Sequence, residues 1–86
     1  MKNFEQLWNE LELKVANQVS GNTNNLVVSG VHEIGKKVLE EAGEVWLAAE
    51  YQSNQDLAIE ISQLIYHLQV IAIARGLKLV DIYQEL

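Results

Sequence analysis

The eighteen residues LAIEISQLIYHLQVIAIA, positions 57–74, carry one carboxylate and one imidazole in an otherwise largely aliphatic run. No proline or glycine interrupts it, and at 100° per residue its apolar side chains spread around nearly the whole circumference of a helix. In water such a helix must be covered on every side. That demand constrains the fold more than any other feature, because the chain has only 86 residues, enough for one domain spanning 1–86 with a modest core of its own.

Proline is absent throughout, and glycine occurs only at positions 21, 30, 35, 43 and 76, which predicts an all-α fold of long helices with few breaks. Four helices are expected. The first runs from about Asn3 to Val19, with Phe4, Leu7, Trp8, Leu11 and Val15 on one face. The stretch SGNTNNLVVSG, residues 20–30, is expected to be a loop. The second helix spans roughly Val31 to Gln52, with an apolar stripe of Val31, Ile34, Val38, Ala42, Val45 and Ala49.

Ser53 or Asn54 can cap the third helix, about Gln55 to Arg75, with Asp56 placed as in a capping box. Arg75 in its last turn and Gly76 just beyond form a favourable C-terminus. A short helix from Val80 to Glu85 closes the chain. The second and third helices, joined by a short connection, form an antiparallel hairpin, and the other segments are too few to cover the third helix. Two hairpins meeting in a homodimer, with a four-helix-bundle core, would bury it; a monomeric bundle with a sticky helix is the competing expectation.

Composition narrows the function. Twelve acidic against six basic residues, a net charge of −6, argue against a nucleic-acid surface. The absence of cysteine removes disulfides and thiolate zinc sites. The amphipathic, acidic N-terminal stretch lacks the apolar core of a secretory signal, and the apolar run is too interrupted for a membrane span. The expectation is therefore a cytoplasmic protein without membrane contact.

In GKKVLEEAGEVWLAAE, residues 35–50, Glu41 falls at the edge of the apolar stripe, with Lys37 and Glu44 on the same flank and Glu40 toward solvent. Glu41 and Glu44, three apart on a helix, repel each other, and at a core edge that suggests a cation between them. On the third helix Asp56, Glu60, Gln63 and His67 form a polar row. Across an antiparallel hairpin Glu41 and Glu44 can face Glu60 and Gln63, a hard all-oxygen set that suits Mg²⁺ or Mn²⁺, ions that also bind phosphate oxygens.

Blander readings stand beside this one. An E-x-x-E pair alone is usually a solvated face. Glu60 can pair with Lys37, and Gln63 can bond within the core. His67 can be a satisfied core histidine, while Trp8, Trp46 and Tyr66 are expected to pack. Lys36 and Lys37 read as surface charges, although Lys37 can meet a phosphate.

GVHEIGKKVLEEAGEVWLAAE followed by LAIEISQLIYHLQVIAIARGLKLVDIYQEL resembles phosphoribosyl-ATP pyrophosphohydrolase of histidine biosynthesis, a family of the all-α NTP pyrophosphohydrolases. The resemblance covers the chain from Phe4 and is strongest from Gly30. It implies a Mg²⁺-dependent hydrolysis of phosphoribosyl-ATP to phosphoribosyl-AMP and pyrophosphate, feeding the cyclohydrolase that follows. It also implies Glu41 and Glu44 as the E-x-x-E pair and Glu60 as the start of the second motif, with one carboxylate serving water. Gln63 stands where the wider superfamily has Asp. By the same likeness Lys37 and Lys36 correspond to phosphate-contacting bases; the Asn-rich loop 20–30, unsuited to a core, can fold over the ribose groups, and Asn54 at the opening of the third helix, with Gln63 and His67, can contact substrate. The rival readings are a house-cleaning (d)NTP pyrophosphohydrolase and a non-catalytic helical dimerisation module.

Overall fold

The computed structural model describes residues 1–86 and is wholly helical: α1 (Phe4–Ala16), α2 (Asn22–Ser29), α3 (Val31–Tyr51), α4 (Asn54–Ala74) and α5 (Leu79–Tyr83). Local chemistry sets the ends. The Asn3 side chain accepts from the Gln6 amide while the Gln6 side chain accepts from the Asn3 amide, a reciprocal cap on α1. Ser53 Oγ accepts from the Asp56 amide at 3.1 Å and starts α4. At its far end Gly76 takes φ +84°, and Leu77 N–H reaches back to the Ala72 carbonyl at 3.0 Å.

The expected loop at 20–30 is instead largely helix. Asn22–Ser29 forms two turns between Gly21 (φ +145°) and Gly30 (φ +99°). Helix propensity is a weak prior, and Asn-rich sequence lowers it. Packing of Leu26 and Val27 against the core overrides the preference.

Helices α3 and α4 pack antiparallel as a hairpin, and α1 and α2 lie across one of its flanks. Leu11, Ile34 and Val70, at most 2% exposed, form the centre, with Leu7, Val38, Tyr66 and Ile73 among the residues around them. Trp8 is buried as expected. The α3 seam departs from expectation. Ile34, Val38, Glu41, Val45 and Ala48 face inward, whereas Val31, Ala42 and Ala49 lie outside. The buried stripe is thus turned by roughly 40° toward the glutamate flank. Apolar surface on α3 is wider than one neighbour can cover, and α4 takes only part of it.

The remainder stays open. Leu39 and Trp46 on α3, and Ile61 and Leu68 on α4, are between 41% and 77% exposed. Helical rotation puts them, with Val31, Ala42, Ala49 and Leu64, on the hairpin flank opposite α1 and α2. Trp46 is therefore not a packing residue within the chain; its indole N–H donates to Glu50 at 2.9 Å. Helix α5 is tied back by Tyr83, whose hydroxyl donates to Glu5 at 2.7 Å and whose ring lies 6.2 Å from Phe4.

Candidate functional site

Facing turns of the hairpin bring Glu41 and Glu44 of α3 against Glu60 of α4, and a carboxylate oxygen from each lies within 4.8 Å of the others. All three side chains are partly buried. The displaced seam explains the geometry: Glu41 points into the α3–α4 contact rather than along its edge, and so meets Glu60. No lysine or arginine pairs with any of the three.

Their titration reflects that isolation. Glu41 is raised above 4.5, first by burial and then by Glu44 beside it, with His67 acting weakly in the opposite sense. Glu60 is raised chiefly by the Glu44 carboxyl, then by burial and by Glu41. Three converging carboxylates with no counter-charge are electrostatically frustrated as a purely structural feature. An all-oxygen donor set that would be relieved by a divalent ion fits Mg²⁺ or Mn²⁺ and no soft metal.

The other expected residues divide. Lys37 does not join the row with Glu41 and Glu44; its ammonium lies 3.5 Å from Glu40, and Lys36 lies 3.3 Å from Glu33, all of them exposed. The expected Lys37–Glu60 alternative does not form. Gln63 is exposed beside the cluster, and its backbone carbonyl accepts from His67 Nδ1 at 2.8 Å. A carbonyl cannot donate, so the proton sits on Nδ1 and leaves Nε2 a bare acceptor in the neutral ring. His67 is only 7% exposed and packs edge-on to Tyr66, with centroids 5.0 Å apart. Asn54 is the exposed first residue of α4.

A second polar group escapes sequence reasoning. The Tyr66 hydroxyl receives Asn22 Nδ2 at 3.1 Å and lies 2.6 Å from Thr23 Oγ1, which is buried. Tyr66 is thus more than a packing residue. Partners 43 and 44 positions apart in sequence share no periodic pattern, and the only available signal was the unusual polarity of residues 20–25.

A helical hairpin with an E-x-x-E pair on one strand of the contact and a glutamate on the other defines a class, the all-α proteins whose acidic site sits between two long helices. Comparison with known proteins narrows the class. A sequence model of the family described as phosphoribosyl-ATP pyrophosphohydrolase matches residues 2–86. The chain is 54% identical over 87 residues to the phosphoribosyl-ATP pyrophosphatase of Streptomyces coelicolor, an alignment covering 99% of this chain and 97% of that one. Identity to the protein of the same name from Bifidobacterium animalis subsp. lactis is 55% over 87 residues, covering all of both. The chain belongs to the phosphoribosyl-ATP pyrophosphohydrolase family.

Proposed function

We propose that this protein hydrolyses the α–β phosphoanhydride of phosphoribosyl-ATP, releasing phosphoribosyl-AMP and pyrophosphate in histidine biosynthesis, with Mg²⁺ (or Mn²⁺) held by Glu41, Glu44 and Glu60. The observation that carries the reading is the convergence of those carboxylates, without a basic partner, in a chain of this family. A bound Mg²⁺ supplies the positive charge that neutralises phosphate oxygens as the anhydride opens. The chain's own part is to hold that charge and to aim a water. One of the three carboxylates, adjacent to the ion, orients or deprotonates the water, whose oxygen bonds to phosphorus as the bridging P–O bond breaks.

Gln63 contributes an amide oxygen at the rim of the metal group. Lys37 and Lys36, held only by exposed glutamates, are free to swing to substrate phosphates, and Asn54 borders the substrate. His67, buried and bonded through Nδ1 to the Gln63 carbonyl, is the innermost of the substrate's neighbours. The acidic surface suits a metal-carried polyphosphate and no nucleic acid.

The same reading includes a homodimer. Supporting it are the open apolar flank of α3 and α4 and its continuity over both helices, where a second hairpin would complete a four-helix bundle. Helix α4 alone is long and apolar enough to cross a membrane. Glu60, two turns into the helix, and its packing against three other helices favour a bundle in the cytoplasm. Coupling to the cyclohydrolase is through its substrate, the product released here.

The test is pyrophosphate release from phosphoribosyl-ATP, with ATP and dNTPs for comparison, in Mg²⁺ and in EDTA, for the native chain and for Glu44→Ala. Mg²⁺-dependent turnover of phosphoribosyl-ATP, lost in the variant, is expected. Preference for free nucleotides would move the chain to house-cleaning chemistry, and no turnover of any of them would refute an enzymatic role.

A further inference from the structure

Phosphoribosyl-ATP is charged at both ends: beyond its triphosphate, the base carries a second ribose with a 5′-phosphate of its own. Glu41, Glu44 and Glu60 answer only for the triphosphate. An enzyme that takes this substrate in preference to ATP therefore needs a second polar pocket, with a cation, on the same flank and displaced along the hairpin.

One cavity meets those conditions. It is a cleft of about 260 Å³, open to solvent on one side, between the end of α1 and the start of α2, against α4, and is lined by Lys14, Ser20, Asn22, Thr23 and Tyr66. That is roughly the volume of eight or nine liquid waters, room for a pentose phosphate. Tyr66 is six residues beyond Glu60, about 9 Å along α4. Helical rotation sets it on the flank that also bears Lys37 and Glu44. Its hydroxyl is fixed by Asn22 and Thr23, so a polar wall is already built.

Two other cations, Lys2 and Arg75, fit less well. Lys2 lines a cavity against Ser62 and Ile65, on the side of α4 turned away from α3 and the carboxylates. Arg75 lies at the far end of α4, fifteen residues or about 22 Å from Glu60, on the opposite flank. Lys14, by contrast, is held only by Glu10 at 3.5 Å on the protein surface, a contact it can give up.

We propose that this cavity binds the phosphoribosyl arm of the substrate, Lys14 and Ser20 meeting its 5′-phosphate and the Asn22–Tyr66 pair its ribose hydroxyls. The proposal rests on the function proposed above and assigns its specificity. Discrimination against free ATP then comes from α1, α2 and Tyr66, while the carboxylates act on any nucleoside triphosphate that reaches them.

The experiment compares native chain, Lys14→Gln, Lys14→Arg and Ser20→Ala. Its readouts are kcat and KM for phosphoribosyl-ATP, inhibition by AMP, and binding of ribose 5-phosphate by titration calorimetry. Lys14→Gln is expected to raise KM about tenfold, to weaken ribose 5-phosphate in proportion, and to leave kcat within about twofold and AMP inhibition unchanged. Lys14→Arg should restore most of the loss. An unchanged KM in both Lys14→Gln and Ser20→Ala, or an equal loss for AMP, would overturn the assignment. If the native chain turns over no phosphoribosyl-ATP, the proposed function fails by itself. Ribose 5-phosphate binding then decides the cavity: binding abolished by Lys14→Gln upholds a sugar-phosphate site, and no binding removes it.

Discussion

A glutamate three residues from another on a helix is ordinarily unremarked surface chemistry; Glu41 and Glu44 become unusual only because Glu60 is placed against them. Both Glu41 and Glu60 titrate above 4.5 in the folded chain. Between that value and their raised folded pKa the native state holds more protons than the unfolded one, so stability of the metal-free protein falls as pH rises through that window and levels off above it. Thermal unfolding in EDTA from pH 4.5 to 8 should show this decline. Glu60→Gln should flatten it and raise the melting temperature at pH 8. A steeper decline in the variant would contradict the electrostatic account. Saturating Mg²⁺ at pH 8 should stabilise the native chain by about 2.7 kcal/mol at a hundredfold excess over Kd, and Glu60→Gln far less.

At the scale of elements, α4 depends on one side-chain oxygen at its start and one left-handed glycine after its end. Ser53→Ala removes the acceptor for the Asp56 amide and should cost about 1 kcal/mol in urea unfolding, without changing m. Gly76→Ala places a Cβ at φ +84° and should cost about 1–2 kcal/mol, although open space surrounds the position. Equal stability in that variant would mean the backbone relaxes to another turn. Helix α2 illustrates the reverse dependence, since nothing in NTNNLVVS favours a helix until Leu26 and Val27 find the core.

For the whole molecule, the open flank of α3 and α4 sets the expectation. A single charge in its middle, Ile61→Glu or Leu39→Glu, should turn a dimer into a monomer in sedimentation experiments and expose dye-binding apolar surface. An unchanged sedimentation coefficient for both variants, equal to that of a dimer, would place the interface elsewhere. A native chain that sediments as a monomer at micromolar concentration would remove the dimer altogether.

Periodicity and caps determined what local interactions can determine: the all-α class, the hairpin, the Ser53 start and Gly76 end of α4, the buried Trp8 and Leu11, and the candidacy of Glu41, Glu44 and Glu60 for one site. Each follows from residues within a few turns of one another, or from a connection too short to allow another topology. Tertiary structure decided the rest. It turned the α3 seam toward Glu41, made helix of residues 22–29, left Trp46 outside, gave Lys37 to Glu40, and joined Asn22 and Thr23 to Tyr66. These outcomes depend on which apolar faces win a limited number of neighbours. That competition is settled by packing across the molecule, where a chain with more apolar surface than one copy can bury has several locally acceptable choices.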